Sequence, residues 1–231
     1  WRVLRPPRRV LDVGCATGSM LLAVRDQGND RVTGVELSEA AANSAQARGL
    51  DVRVGSLEDA AFPAGVFDTV IVSHTLEHVA DPLAFLKEIR RVSSARGVLL
   101  AWLPNADSVE ARLFRSYWIG YDAPRHLTTF SERTLRAVLE SAGFDVWSVQ
   151  HEAIGLEWAW ALRLWIRERL PRLDQMMRRW HAPLIVLATP FALLSALCRR
   201  SGRIRVVAVV RPDARATDPA APALAQTPPH G

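Results

Sequence analysis

Short apolar runs alternate with amphipathic helical stretches along most of this chain, and that alternation limits the possible folds more than any other feature. Phe67–Val72 (FDTVIV) is typical of a strand that is buried on both faces. Strands and helices at βαβ spacing predict an α/β fold with a doubly wound, mostly parallel sheet. The other predicted strands are Arg9–Val13, Arg31–Val35, Asp51–Val54, Gly97–Leu103, Val146–Val149 and Arg203–Val210.

Helix signals separate these strands. Ser38 and Ser131 are typical N-caps, Pro82 suits the first turn of a helix, and Gly143 is a typical helix stop. In such a sheet, ligands bind beyond the carboxyl ends of the strands, so the loops after the first four strands are where a functional site is expected. The predicted helices are Ser19–Asp26, a helix from Ser38 to about Arg48, a helix from Pro82 to Arg91, and Ser131–Ala142.

A segment of different composition, residues 152–200, separates the last two strands and is rich in tryptophan, arginine and leucine. We interpret it as a helical insertion, with Glu157–Leu170 as an amphipathic helix. The apolar run Pro183–Cys198 is too short for a membrane span, and Pro190 interrupts it. Two interpretations stay open: a lid over an acceptor pocket, or an interfacial element over residues 157–200 that contacts a membrane peripherally. The remaining segments are a core of residues 1–151, a final core strand at 201–211, and a tail at 212–231 that predicts disorder.

Composition argues against two classes of protein. The formal charge is +5, but no arginine stripe interleaved with aromatics is present, so we expect no nucleic-acid partner. Cys15 and Cys198 lie in unlike contexts, which indicates no disulfide framework and suits the cytoplasm, or the inner face of the membrane if the insertion is interfacial. No signal peptide opens the chain, and because it begins at Trp1 we expect its natural start to be missing.

The loop after the first strand, DVGCATG, runs from Asp12 to Gly18. Its small residues let the backbone turn tightly and approach a ligand, and the N–H groups that open the next helix favour a polar or anionic group. Glu36 closes the second strand roughly 20 residues after the loop, where a carboxylate accepts hydrogen bonds from ribose hydroxyls. A turn without a ligand and a solvated glutamate are the alternatives that these residues alone leave open.

These residues resemble the first motif of the class I S-adenosylmethionine-dependent methyltransferases, D-x-G-x-G-x-G, with Ala16 in place of the central glycine. The resemblance implies that the loop wraps the methionine end of S-adenosylmethionine and that Glu36 holds the ribose hydroxyls. It also places an acidic residue beside the adenine, where this chain has Ser56. The cofactor-binding residues that it implies are Asp12, Gly14, Cys15, Ala16, Gly18, Glu36, Leu37, Ser56, Leu57, His74 and Thr75.

The fourth strand runs into HTLEHVADP, which resembles the family's signature L-E-H-V-x-D-P and implies that His74 and Thr75 lie by the methyl-transfer site. A later stretch, Tyr121–Ser131, is similar to one common in bacterial small-molecule members of the family. The motifs together cover about Arg9 to Val149. They imply a seven-stranded, Rossmann-like methyltransferase sheet with the helical insertion before its last strand.

Methyl transfer from a sulfonium depends mainly on positioning, and an oxygen acceptor also needs a base. His74 is the first candidate base, His126 the second and His78 the third, because histidine titrates near neutral pH. Each of them could instead bond to loop backbone. We expect a small-molecule or lipid-linked acceptor, with oxygen favoured over nitrogen or carbon, and no metal site.

Three other functions fit parts of the sequence. The residues from His74 to His78 satisfy H-x-x-E-H, a zinc-peptidase pattern, but that pattern needs a helix and here it directly follows a strand. A nicotinamide-dependent oxidoreductase of Rossmann type would need G-x-G-x-x-G, of which Ala16 and Ser19 replace two glycines. A cofactor-binding domain that has lost catalysis is the third alternative.

Overall fold

The computed structural model describes residues 8–29, 31–177 and 181–212. Seven strands form one sheet, and they are β1 (Val10–Val13), β2 (Val32–Glu36), β3 (Asp51–Val54), β4 (Phe67–Ser73), β5 (Ser93–Pro104), β6 (Phe144–Glu152) and β7 (Arg203–Val210). Their order across the sheet is β3-β2-β1-β4-β5-β7-β6. β7 is antiparallel to both of its neighbours, and the other pairs are parallel. The predicted doubly wound, mostly parallel sheet is confirmed.

Eight helices are described: α1 (Ser19–Asp26), α2 (Glu39–Gln46), α3 (Pro82–Val92), α4 (Val109–Phe114), α5 (Glu132–Ser141), α6 (Gly155–Arg169), α7 (Pro171–Met177) and α8 (His181–Leu197). The caps explain several of the boundaries. The Ser38 side chain accepts a hydrogen bond at the start of α2, and Ser131 forms a capping box with Thr134 at the start of α5. The sequence predicted no helix at α4, which Ser108 caps.

Both faces of the sheet are covered by helices, which explains why β1 and β4 are apolar throughout most of their length. α3 and α5 pack on one face, and α1 and α2 pack on the other. The buried helical side chains include Leu86 and Ile89 of α3, Leu135 and Leu139 of α5, Leu21 and Val24 of α1, and Ala42 and Ala45 of α2. The strand order reverses between β1 and β4, and a crevice at such a reversal is where doubly wound sheets bind ligands.

The predicted insertion is helical and lies between β6 and β7 in the chain, as α6, α7 and α8. Pro190 lies inside α8 and does not interrupt it, contrary to the prediction, because a proline in a helix interior can kink the helix without ending it. Within the described residues, no helix is long and apolar enough to cross a membrane. Most of the predicted disordered tail, residues 213–231, lies outside the described part of the chain.

A buried ion pair joins the insertion to the sheet. Arg203 of β7 binds the Glu157 carboxylate of α6 at 2.8–2.9 Å, and the Glu157 side chain is 8% exposed. Burial raises the pKa of Glu157, and this effect exceeds the lowering caused by the charge and hydrogen bond of Arg203. Glu110 of α4 lies beside this pair and accepts a hydrogen bond from the Trp158 indole at 2.5 Å. Gly202 leaves room for the carboxylates, since a Cβ there would lie 2.6 Å from Glu157 Oε2.

The Arg203→Met variant should lose about 2–3 kcal/mol of unfolding free energy, because it leaves the Glu157 carboxylate buried and unpaired. Arg205, on the same strand, is the matched control: its Nε lies 3.9 Å from Glu152, so Arg205→Met should cost less than about 1 kcal/mol. Urea unfolding followed by circular dichroism measures both. Equal losses in the two variants would show that the buried pair does not fasten the insertion to the sheet.

Candidate functional site

The loop between β1 and α1 adopts backbone conformations that depend on its small residues. Gly14 and Gly18 have φ values of 77° and 79°, in the left-handed region that favours glycine. Ala16 is also left-handed, at φ 48°. A Cβ on Gly14 would lie 2.4 Å from Thr75 Oγ1, so the loops after β1 and β4 approach each other more closely than any other residue type would allow.

Glu36, at the end of β2, is oriented by backbone N–H groups. Its Oε2 accepts from Ala16 N and its Oε1 accepts from Ser38 N, both at 2.8 Å. Each carboxylate oxygen has a second lone pair, so the group can still accept hydrogen bonds from a ligand. The carboxylate therefore joins the glycine loop to the end of β2 and stays half-buried at the rim.

Asp12 lies beneath the loop and is buried, with 2% of its surface exposed. Its Oδ1 is without a hydrogen-bond partner in the part of the chain that the structure describes. Burial, and secondarily the charge of Glu36, raises the pKa of Asp12 to about 7. A cation bound nearby would favour the ionised carboxylate.

A cavity of about 420 Å³ opens at the carboxyl ends of β1, β2 and β4. That volume lies within the usual range of small-molecule sites. Seven of the predicted cofactor-binding residues line it: Gly14, Glu36, Leu37, Ser56, Leu57, His74 and Thr75. The lining residues that the sequence did not indicate are Val13, Val35, Gly55, Glu58, Val79 and Phe85.

The other four predicted cofactor residues lie in the loop but outside this lining. The Cys15 side chain belongs to the core beneath the loop, where its Sγ would be 2.5 Å from a Cβ on Gly34. Burial raises the pKa of the Cys15 thiol to about 12, so it stays protonated. Asp12 is buried below the loop, and Ala16 and Gly18 shape its backbone.

The wall after β3 is organised by Ser56. Its Oγ donates to Asp59 Oδ2 at 2.7 Å, and its backbone N–H donates to the same oxygen at 3.0 Å. These hydrogen bonds lower the pKa of Asp59. Leu57 is buried behind the wall, whereas Leu37 is 76% exposed on the opposite rim. The cavity thus has an apolar edge on each side of a polar turn.

His74 and Glu77 form a dyad at the exit of β4. His74 Nδ1 lies 3.1 Å from Glu77 Oε1, and the Glu77 carboxylate is buried. Because a carboxylate only accepts, Nδ1 carries the proton and Nε2 of the neutral ring keeps a lone pair. His74 has φ 54°, and residues 76–78 form a single 3₁₀ turn, so the H-x-x-E-H residues do not share a helix face as a zinc peptidase requires.

His78 and His126 meet although they are far apart in the sequence. Their ring centroids are 4.7 Å apart in an edge-to-face arrangement. His78 Nδ1 donates to the Arg125 carbonyl at 2.9 Å, and His126 Nδ1 donates to the Gly120 carbonyl at 2.7 Å. His74 and His78 thus line the cavity, whereas His126 contacts His78 from outside the lining, and the unpredicted Glu77 lies close to all three histidines.

Comparison with known proteins gives a consistent result. A family described as a methyltransferase domain matches residues 2–149. The chain is 32% identical over 146 residues to a probable S-adenosylmethionine-dependent methyltransferase of Mycolicibacterium smegmatis, covering 60% of this chain and 52% of the relative. It is 38% identical over 105 residues to ubiquinone biosynthesis O-methyltransferase of Xanthomonas campestris, covering 42% of this chain and 44% of the relative. The matches therefore span about half the length of these relatives.

A solved structure is similar at the level of the fold and the sequence. It is an S-adenosylmethionine-dependent methyltransferase from Thermotoga maritima, a possible histamine N-methyltransferase. The TM-score is 0.54 and the identity 26%, and the match covers 64% of this chain and 71% of that one.

Asp12→Asn should change the pH dependence of stability. Between the ordinary carboxyl pKa of 3.8 and the folded value of about 7, the folded protein binds more protons than the unfolded chain, so the unfolding free energy falls as pH rises. Asn removes this titration. Relative to wild type, the variant should therefore gain stability from pH 5 to pH 8, at about 1.4 kcal/mol per pH unit up to neutrality.

Urea unfolding of the ligand-free chain at several pH values measures this difference. Asp59→Asn is the control, because the pKa of Asp59 is lowered and its titration lies below this window. A stability difference between Asp12→Asn and wild type that stays constant from pH 5 to pH 8 would contradict the assignment of a neutral buried carboxyl.

Proposed function

The chain belongs to the class I S-adenosylmethionine-dependent methyltransferases, and on that premise we propose that it transfers the methyl group of S-adenosylmethionine to a hydroxyl oxygen of a small-molecule or lipid-linked acceptor. The observation that carries the proposal is the single cavity in which the glycine loop, the Glu36 carboxylate and the His74 ring meet. This cavity lies at the reversal of strand order, where such sheets bind ligands.

The residues present fit the family's cofactor. When bound, S-adenosylmethionine supplies a methyl group that is already activated on a sulfonium. Glu36 retains acceptor capacity for two ribose hydroxyls, and the tight turn at Gly14 lets the loop backbone line the cavity. The buried, unpartnered Asp12 Oδ1 favours positive charge above the loop. Leu37, Ser56 and Leu57 offer the apolar edges and polar turn that suit an adenine.

His74 is the base that the geometry favours. Glu77 holds its Nδ1–H at 3.1 Å, and the buried Nε2 has no hydrogen-bond partner among the described residues. His74 lines the cavity, and a movement of the ring that exposes Nε2 there would let its lone pair accept the proton of an acceptor hydroxyl as the oxygen is methylated. The carboxylate stabilises the imidazolium that results. His126 and His78, the other two candidates, donate Nδ1–H to backbone carbonyls, and His78 lines the cavity whereas His126 lies outside its lining.

The insertion supports an acceptor with an apolar tail. A cavity of about 500 Å³ between α4, α6 and α8 is lined by apolar side chains, among them Trp158, Trp165 and Phe191. α8 also exposes several large apolar residues: Val186, Leu187, Phe191, Leu193, Leu194 and Leu197. Surface of this kind favours contact with lipid. We therefore propose that the insertion contacts the inner face of the membrane peripherally, where it would receive a lipid-linked acceptor.

Glu36→Gln should weaken binding of S-adenosylhomocysteine, the demethylated cofactor, by about 10- to 100-fold, because hydrogen bonds to a charged acceptor are lost. Isothermal titration calorimetry of the purified chain measures the affinity. Glu39→Gln is the matched control, since Glu39 is exposed in the first turn of α2 and should leave the affinity unchanged. Equal affinities of Glu36→Gln and wild type would remove the ribose assignment, and no binding by folded wild type would remove the proposed function.

His74→Gln should lower the methyl-transfer rate at saturating S-adenosylmethionine by about 10²- to 10⁴-fold, because the proton of the acceptor hydroxyl then has no base to accept it. The assay follows radiolabelled methyl groups from S-adenosylmethionine into soluble and membrane-lipid extracts. Label in the lipid fraction supports the lipid-linked acceptor, and label only in the soluble fraction removes it. A variant that retains the wild-type rate on the accepted substrate would exclude His74 as the base.

A further inference from the structure

We propose that Glu77, His78 and His126 bind a divalent transition-metal ion beside the cofactor cavity. One side-chain ligand atom of each residue lies within 4.8 Å of the other two. Two imidazoles and one carboxylate are the donor set of many zinc and iron(II) sites. The existence of the site is argued from these side chains alone, whereas its role rests on the proposed function. This inference replaces the expectation from the sequence that the chain holds no metal.

Both histidines are held in the form that a metal ion requires. Backbone carbonyls can only accept hydrogen bonds, so the contacts from His78 to Arg125 O and from His126 to Gly120 O place a proton on each Nδ1. The neutral rings therefore carry their lone pairs on Nε2. Histidine ligands of metals usually donate their other ring N–H to a carbonyl or carboxylate in this way, which fixes both tautomer and orientation.

Glu77 gives independent support for a cation. Only 1% of the residue is exposed, and its Oε2 is without a hydrogen-bond partner within the described ranges. The other oxygen, Oε1, faces His74 at 3.1 Å. A buried carboxylate oxygen without a partner is costly, and a metal ion would satisfy it. The guanidinium of Arg125, in the adjacent loop, is instead paired with Asp122 at 2.5 Å.

The two segments that supply the ligands are tied together. Leu127 N and Thr128 N both donate to the Glu77 carbonyl, at 2.8 and 3.1 Å. In a tetrahedral zinc site, bonds of about 2.0–2.1 Å place ligand atoms about 3.3 Å apart. Because the three ligand atoms already lie within 4.8 Å of one another, the side chains need to close by at most about 1.5 Å. His78 is exposed and His126 is half-buried, so both rings have room for a movement of this size.

The expected ion is Zn²⁺ or a similar first-row metal, because imidazole ligands do not suit Mg²⁺ or Ca²⁺. Three protein ligands leave a coordination position open, as in catalytic rather than structural zinc sites. His78 also lines the cofactor cavity. The open position would thus bind the acceptor hydroxyl, lower its pKa and orient its oxygen towards the methyl group.

The test is a calorimetric titration of the purified, EDTA-treated full chain with Zn²⁺, with metal content measured after dialysis. We expect one ion per chain. Loss of a partner in the outer shell of a metal site typically costs 10- to 100-fold in affinity, so His78→Gln and His126→Gln, which remove ligands, should each cost at least about 100-fold. The matched control is His151→Gln, because His151 pairs with Glu132 away from this cluster and its loss should leave zinc affinity unchanged.

The proposal is overturned if the folded wild-type chain binds no Zn²⁺, or if the double variant His78→Gln/His126→Gln binds it as wild type does. Circular dichroism establishes that each variant is folded, and both histidines have exposed surface, so their loss should not prevent folding. Titration of the metal-free chain with S-adenosylhomocysteine separates this outcome from failure of the proposed function. Zinc binding without S-adenosylhomocysteine binding would overturn only the methyltransferase proposal.

Discussion

The close approach of Gly14 to Thr75 is the contact on which the rest of the site depends. Thr75 Oγ1 donates to the Val13 carbonyl at 3.0 Å and occupies the space where a Cβ on Gly14 would lie. The loops after β1 and β4 are thereby joined at the point where the strand order reverses. His74 and Glu77 lie on either side of Thr75 in the chain, so this contact also fixes the position of the His74–Glu77 dyad. A larger residue at position 14 would separate the glycine loop from Thr75 and the adjacent His74.

The site also contains two buried carboxyl groups that lack a compensating partner. Asp12 Oδ1 and Glu77 Oε2 are both buried without hydrogen-bond partners in the described parts of the chain. Burial costs such groups stability in the ligand-free protein. The same cost favours cationic ligands, since a positive charge brought close to each carboxylate recovers the lost solvation. A sulfonium cofactor on one side of the cavity and a metal ion on the other would each relieve one of the two.

The sequence predicted those parts of the fold and site that are encoded by neighbours in the chain. The apolar runs, the Ser38 and Ser131 caps and the glycine loop are local patterns, and the predicted helices and strands match them closely. β6 extends from Phe144 to Glu152, well beyond the predicted Val146–Val149, because an edge strand exposes polar and aromatic side chains that hide its periodicity.

The sequence did not predict which way individual side chains point or which distant segments of the chain come into contact. The Cys15 side chain points into the core because Gly34, on the adjacent strand, leaves space for its sulfur. The meeting of His78 with His126 depends on the loop that bonds to the Glu77 carbonyl, which no local pattern records. In the sequence, Glu77 is one residue of a motif. Only the structure shows that it is buried between His74 and the pair formed by His78 and His126.

The insertion is connected to His74 through the sheet itself. His74 N donates to the Trp102 carbonyl of β5, and β5 pairs with β7, which carries Arg203 and its bond to Glu157. A protonated His74 is also close enough to lower the pKa of Glu157. The glycine loop is fixed by backbone turns, whereas the insertion is held to the sheet by the Arg203–Glu157 ion pair and by packing, so substitutions in the insertion should leave the geometry of the glycine loop unchanged.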